Sequence, residues 1–178
     1  LVINGRLESR NDVDVYAVSL GAGQTLVADA LANRVLGSPM DGVLQLLSSA
    51  GFVLAQNDDE IGLDPRLFFK APSTGQYLVR IFGFPAMPDS TISLAGGPAY
   101  VYRLTLTAGP FVDYAWPLAA PVDDPAPRVR LFGWNLPADC SSAAVFDPGS
   151  APTGLRDVAT FGRDDLAGLA EALLVEVP

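Results

Sequence analysis

The chain has 178 residues, 49% of them hydrophobic, and a formal charge of -9 from 20 acidic and 11 basic side chains. That is enough apolar material for one large domain or two small ones, and it excludes global disorder. The negative balance repels phosphate backbones and anionic lipid surfaces, which excludes nucleic acid as a partner, and it attracts cations.

The chain opens directly in the strand-like "LVINGRL" and closes on "LLVEVP". No signal peptide precedes the first strand, and the two abrupt ends suggest a piece excised from a longer protein. Strand follows strand: "VDVYAVSL" (13–20), "TLVADALA" (25–32), "GVLQLLS" (42–48), "FVLAQ" (52–56), "RLFFK" (66–70), "QYLVRIF" (76–82) and "AYVYRLTLT" (99–107). The last alternates cleanly, with Tyr100, Tyr102, Leu104 and Leu106 on one face and Arg103, Thr105 and Thr107 on the other, the period of a half-buried strand. Turns "GAGQ", "SSAG" and "PSTG" separate the strands, and the turn at Ala50–Gly51 predicts a hairpin of 42–48 with 52–56. Short strands with Gly/Pro punctuation and no helical period predict an all-β, antiparallel sandwich over 1–107, with Tyr16, Leu46, Val79 and Leu104 in its core. The connection 83–99 is long for a hairpin, and its Phe84 and Met87 either cap the sandwich or form a sticky tip.

After Thr107 prolines crowd the sequence, so 108–127 reads as a linker or an edge strand. A second small β-rich domain is expected over 128–178, with strands at "RVRLFGWNL" (128–136) and "SAAVF" (142–146). In "RDDLAGLAEALLVEV" (163–177), Leu166, Leu169, Ala170 and Leu173 fit a helical face after Asp164, while "LLVEV" fits a strand equally well. No apolar run reaches the ~18 residues of a membrane span, so membrane insertion is not expected.

The chemistry is bounded by what is missing. There is no histidine, which removes Ser-His-Asp and Cys-His mechanisms and histidine-ligated metals. The single cysteine, Cys140, can form neither an internal disulfide nor a zinc cluster and reads as an incidental thiol. The densest charge is "NDDEIGLD", with Asn57, Asp58, Asp59, Glu60 and Asp64 in one turn between strands. A catalytic acid pair needs pKa values pushed apart, and a surface turn offers no apolar pocket to do it. Calcium takes six to eight oxygens and tolerates turns. The candidate ligands are Asp12 and Asp14 of "NDVD", Asp41, Asn57, Asp58, Asp59 and Asp64, though the spacing departs from an EF-hand. The alternative is that these are solvated turns.

"GRLESRNDVDVYAVSLGAGQTL" resembles the opening of the bacterial pre-peptidase C-terminal domain family: Gly5 and Leu7, then Asp12, Asp14 and Tyr16, then Leu20, Ala22, Gly23 and Gln24. The likeness continues through "SPMDGVLQLLSSAGFVLAQNDD", "LDPRLFFKAPSTGQYLVRI" and "YRLTL", about residues 1–107. The resemblance implies a jelly-roll-like β-sandwich that is non-catalytic, often placed after secreted bacterial peptidases, with some relatives similar to calcium-binding, collagen-binding domains. Those relatives take several ligands from an acidic "E-P-N-D" stretch before the first strand, and this sequence starts at Leu1, after that place. Only Asp12 and Asp14 match the rest of that site. Val129, Leu131, Gly133, Asn135 and Leu136 are similar to a strand of immunoglobulin-like domains of the transcription-factor or plexin type.

The expected function is a non-catalytic accessory module pair of an exported bacterial protein, extracellular or on the cell surface. It would bind a protein or a polysaccharide, or act as a spacer, with calcium as its candidate stabilising ion. The alternatives are a fragment of a secreted hydrolase with a carboxylate-based site and a structural repeat of a long cell-surface protein.

Overall fold

The computed structural model describes residues 1–85, 93–117, 119–121, 130–137, 154–157, 167–168 and 171–175. It divides into two compact units, Leu1–Ala108 and Gly109–Pro178.

The first unit is an antiparallel sandwich of eight strands: β1 (Val2–Arg6), β2 (Asp14–Leu20), β3 (Thr25–Leu31), β4 (Gly42–Ser48), β5 (Val53–Asn57), β6 (Arg66–Lys70), β7 (Gly75–Gly83) and β8 (Val101–Thr107). One sheet has the order β1-β8-β3-β6 and the other β2-β7-β4-β5. Apart from the β4–β5 hairpin, successive strands cross from one sheet to the other, which is the double Greek-key order of a jelly roll. The alternation in β8 does what its period dictates: Tyr102, Leu104 and Leu106 are buried, and Arg103 is exposed. The neighbouring β3 adds Leu26, Ala28 and Ala30, and the opposite sheet supplies Leu44 and Leu46 from β4 and Tyr77, Val79 and Ile81 from β7. Of the four expected core residues, Leu46, Val79 and Leu104 are buried, and Tyr16 packs against the core half-buried. The predicted hairpin is present, β4 pairing β5 with a register shift between Leu46 and Leu47.

Two local features depart from the strand-only reading. A four-residue helix, α1 (Asn33–Leu36), follows β3. The long connection after β7 returns to the first turn, where the Asn11 N–H donates to the Leu94 carbonyl (3.1 Å) and the Leu94 N–H to Asn11 Oδ1 (2.8 Å). Phe84 at its start is exposed, with its N–H on the Asp41 carbonyl (2.7 Å). Met87 lies outside the described residues.

The second unit holds β9 (Phe111–Trp116), β10 (Ala119–Pro121), β11 (Arg130–Trp134), β12 (Gly154–Asp157), β13 (Ala167–Gly168) and β14 (Glu171–Val175). They form two three-stranded sheets, β11-β9-β13 and β10-β14-β12. Phe111–Trp116, inside the stretch expected to be a linker or edge strand, is paired on both sides. Its prolines explain the correction: Pro110 and Pro117 flank the strand and take no donor from its ladder. The helical alternative near the C-terminus is likewise replaced by strands, β14 pairing β10 in parallel and β12 antiparallel. Leu131 is buried, Gly133 stands where a Cβ would collide with the Phe111 carbonyl, and Asn135 at φ 55° donates to the Gly109 carbonyl (3.1 Å). Val129, Cys140 and the strand expected at 142–146 lie outside the described residues.

Candidate functional site

On one side of the sandwich the edge strands β1 and β2 face each other across the two sheets. Between them opens a crevice of about 610 Å³ whose lining includes Asn4, Arg6, Asp14, Tyr16, Leu36 and Tyr102. Its floor is a hydrogen-bonded clasp. Tyr102 on β8 donates its hydroxyl proton to Asp14 Oδ2 on β2 (2.5 Å), and the Tyr16 hydroxyl lies 2.6 Å from the Tyr102 oxygen. Tyr102 has one proton and gives it to the carboxylate, so Tyr16 is the donor in the second bond. The order Tyr16 to Tyr102 to Asp14 ties one sheet to the other. Burial, then the bonds to Asp14 and Tyr16, raise the Tyr102 pKa well above a phenol's ordinary value, which keeps that proton in place. Gly5 pairs directly with Tyr102, and a Cβ there would collide with the tyrosine Cζ and hydroxyl oxygen. The first glycine of the resemblance is therefore the space the ring occupies. At the crevice mouth Arg6 meets Glu8 in a two-oxygen ion pair (2.8 and 2.7 Å).

The other candidate ligands are engaged elsewhere. Asp12 closes the turn before β2, accepting the N–H of Glu8 (2.6 Å) and of Val13 (2.9 Å). Asn57 Oδ1 accepts the Arg66 N–H (3.1 Å), and its amide donates to Glu60 (3.4 Å). Asp64 is not a solvated turn residue at all: it is 2% exposed. Its Oδ1 accepts the N–H groups of Ala32 (3.0 Å) and Asn33 (2.7 Å), and its Oδ2 that of Arg34 (3.1 Å). The N-cap position of α1 is Ala32, which has no capping side chain, so a carboxylate some thirty residues later in the chain does the capping. Asp58 and Asp59 remain exposed. Asp41 sits within their field: burial, then the charges of Asp59 and Asp58, raise its pKa.

A calcium shell needs several such oxygens on one point. Among the described residues, no three carboxylate, cysteine or histidine side chains gather closely enough to hold a metal ion. Asp12, Asp14, Asn57 and Asp64 already accept hydrogen bonds from the protein. Sequence reasoning missed Arg66, which forms a buried pair with Asp29 (Nε to Oδ1, 2.6 Å) on the directly opposed position of β3. It also missed Tyr102 as a polar partner. The available signal was that a tyrosine on a buried face needs somewhere to put its hydroxyl.

The remaining motif residues are also structural. Gln24 folds back so that its Oε1 accepts the Gly21 N–H (2.6 Å), and Thr74 of "PSTG" accepts the Ala22 N–H (2.9 Å). Fold and clasp together define a jelly-roll module in which Asp12, Asp14, Tyr16 and Gln24 serve its own architecture. Residues 12–83 match the family model of the bacterial pre-peptidase C-terminal domain. Over 70 residues it is 36% identical to a probable subtilase-type serine protease of Deinococcus radiodurans, a match covering 39% of this chain and 10% of that protein. Among solved structures, the pre-peptidase C-terminal domain of a collagenase from Bacillus anthracis matches with 16% identity, 60% of this chain, 88% of that one and a TM-score of 0.42. A periplasmic inhibitor of g-type lysozyme from Aeromonas hydrophila, PliG, matches with 13% identity, 60% and 83% coverage and a TM-score of 0.37. No helix among the described residues is long and apolar enough to cross a membrane.

Proposed function

We propose that this chain is a non-catalytic accessory region of an exported bacterial hydrolase, acting outside the cell to bind a protein or a polysaccharide. The observation that carries the reading is the employment of the motif residues. Asp12, Asp14, Tyr16 and Gln24 spend their polar groups on hydrogen bonds within the chain itself, which is how a scaffold uses them and not how a catalytic centre does. The family match at 12–83 and the likeness to part of a subtilase-type protease support the same setting.

The test compares the parent protein with and without this region. Deletion should leave turnover of a small soluble substrate within about twofold, because the reacting groups lie elsewhere. Retention on, or turnover of, an insoluble polymeric substrate should fall several-fold. A loss of small-substrate turnover on deletion, restored by no other folded module in its place, would assign catalytic groups to this chain and defeat the reading.

A further inference from the structure

We propose that an aromatic strip on the second unit, Tyr114 and Trp116 on β9 with Arg130 and Phe132 on β11, is a binding platform for an uncharged linear polysaccharide. The inference rests on the accessory reading above and names its ligand class. β9 and β11 run antiparallel with Trp116 opposite Arg130 and Tyr114 opposite Phe132, which places all four side chains on one face. Phe111, Val112 and Leu131 of the same two strands are buried. Trp116 is 58% exposed and Tyr114 45%. The rings are already ordered: Phe132 stacks on Tyr114 at 4.8 Å with 7° between planes, and the Arg130 guanidinium lies 5.2 Å from the Phe132 ring centre. A preformed platform loses little side-chain entropy on binding.

Area and charge choose the occupant. Aromatic side chains bury ~150–250 Å² each, so Tyr114 and Trp116, each about half exposed, together offer on the order of 150–250 Å². A standard protein interface takes ~800 Å² from each partner, several times that. The charge of -9 repels polyanions. A neutral sugar chain remains: each ring offers an apolar C–H face to an aromatic plane and a rim of hydroxyls to the N–H and O–H groups of Arg, Trp and Tyr. Tyr114 and Trp116, two residues apart on one strand, are spaced by ~6.6 Å, so neighbouring rings of an extended chain can meet neighbouring aromatics.

The experiment is native electrophoresis of the full chain through gels containing hydroxyethylcellulose, arabinoxylan or amylopectin. Retardation is expected in at least one. Trp116→Ala should weaken it at least tenfold with an unchanged far-ultraviolet spectrum, and Trp116→Phe should keep most of it. Phe52→Ala, at the 73% exposed aromatic of the first unit, should leave it unaltered. Migration unaffected by all three polymers overturns the proposal, as does retardation that Trp116→Ala leaves intact. Self-association abolished by Trp116→Ala, without polymer binding, would make the strip a protein interface and also overturns it. The deletion test on the parent can succeed whatever these gels show, so the two readings fail separately.

Discussion

The first unit treats its carboxylates in opposite ways in two places. In the crevice and beneath α1, Asp14 and Asp64 face donors: a phenol in one case, three backbone N–H groups in the other. Asp41 stands in the field of the 57–60 turn, where the charges of Asp59 and Asp58 add to burial in raising its pKa. A carboxylate met by an N–H or O–H holds the fold in place. One met by another carboxylate is a repulsion that a proton, salt or a cation relieves. Residue type alone does not tell the two apart, and Asp58 and Asp64 belong to a single sequence turn.

The contrast is broken most forcefully by removing a donor from a buried carboxylate. Asp29 and Arg66 are 6% and 7% exposed, directly opposed on β3 and β6. Arg66→Met should cost about 3–5 kcal/mol, because it leaves a buried charge without its partner. Urea unfolding measures this, and the double variant Asp29→Leu with Arg66→Met should recover most of the loss. Burial already raises the Asp29 pKa, so the deficit of Arg66→Met should shrink as pH falls and Asp29 takes up a proton. A loss below about 1 kcal/mol would place this pair with surface ion pairs and erase the distinction.

The clasp gives a graded version of the same test. Tyr102→Phe removes the donor to Asp14 and the acceptor of Tyr16 together, so it should cost about 1.5–3 kcal/mol. Tyr16→Phe removes only the outer donor and should cost about 0.5–1.5 kcal/mol. Their double variant should cost less than the sum, since both share one chain of hydrogen bonds. Equal losses from the two single variants would contradict the order Tyr16 to Tyr102 to Asp14.

Much of the sandwich was legible because its strands follow the period of two. Tyr102, Leu104 and Leu106 were assigned to one face of β8 from alternation alone, and the hairpin of β4 and β5 from a turn signal. The site was less legible because its contacts are long-range. Asp64 caps α1 across some thirty residues, and Ala32 gives no capping signal of its own. Asp29 opposes Arg66 only once the register of β3 and β6 is known. Asp12 and Asp14 stand in the sequence as candidate calcium ligands or solvated turn residues because a carboxylate's hydrogen-bond partner is invisible there; the structure supplies the Val13 and Glu8 N–H groups for one and the Tyr102 hydroxyl for the other. Prolines around β9 drew 108–127 toward a linker or an edge strand, although Tyr114 and Trp116, with Phe132 and Trp134, already showed the strand period.

The smallest expected effect sharpens the other side of the contrast. Asp41 binds its proton more tightly in the fold than in the unfolded chain, because burial and the charges of Asp59 and Asp58 oppose its ionised form. Ionised Asp41 therefore subtracts stability at neutral pH, and the subtraction fades as pH falls through the folded pKa toward the unfolded one. Asp41→Asn should be neutral to stabilising at pH 7, by less than about 0.5 kcal/mol, and its advantage over the parent chain should vanish toward pH 4. Salt should act in the same direction, since exposed charges are screened over ~10 Å at 0.1 M. Because the described carboxylates do not converge on one point, millimolar calcium should raise the melting temperature no more than magnesium at the same ionic strength. A rise specific to calcium and lost in Asp58→Asn or Asp59→Asn would mean that this corner closes around the ion, and the repulsion at Asp41 would then be the empty state of a metal site.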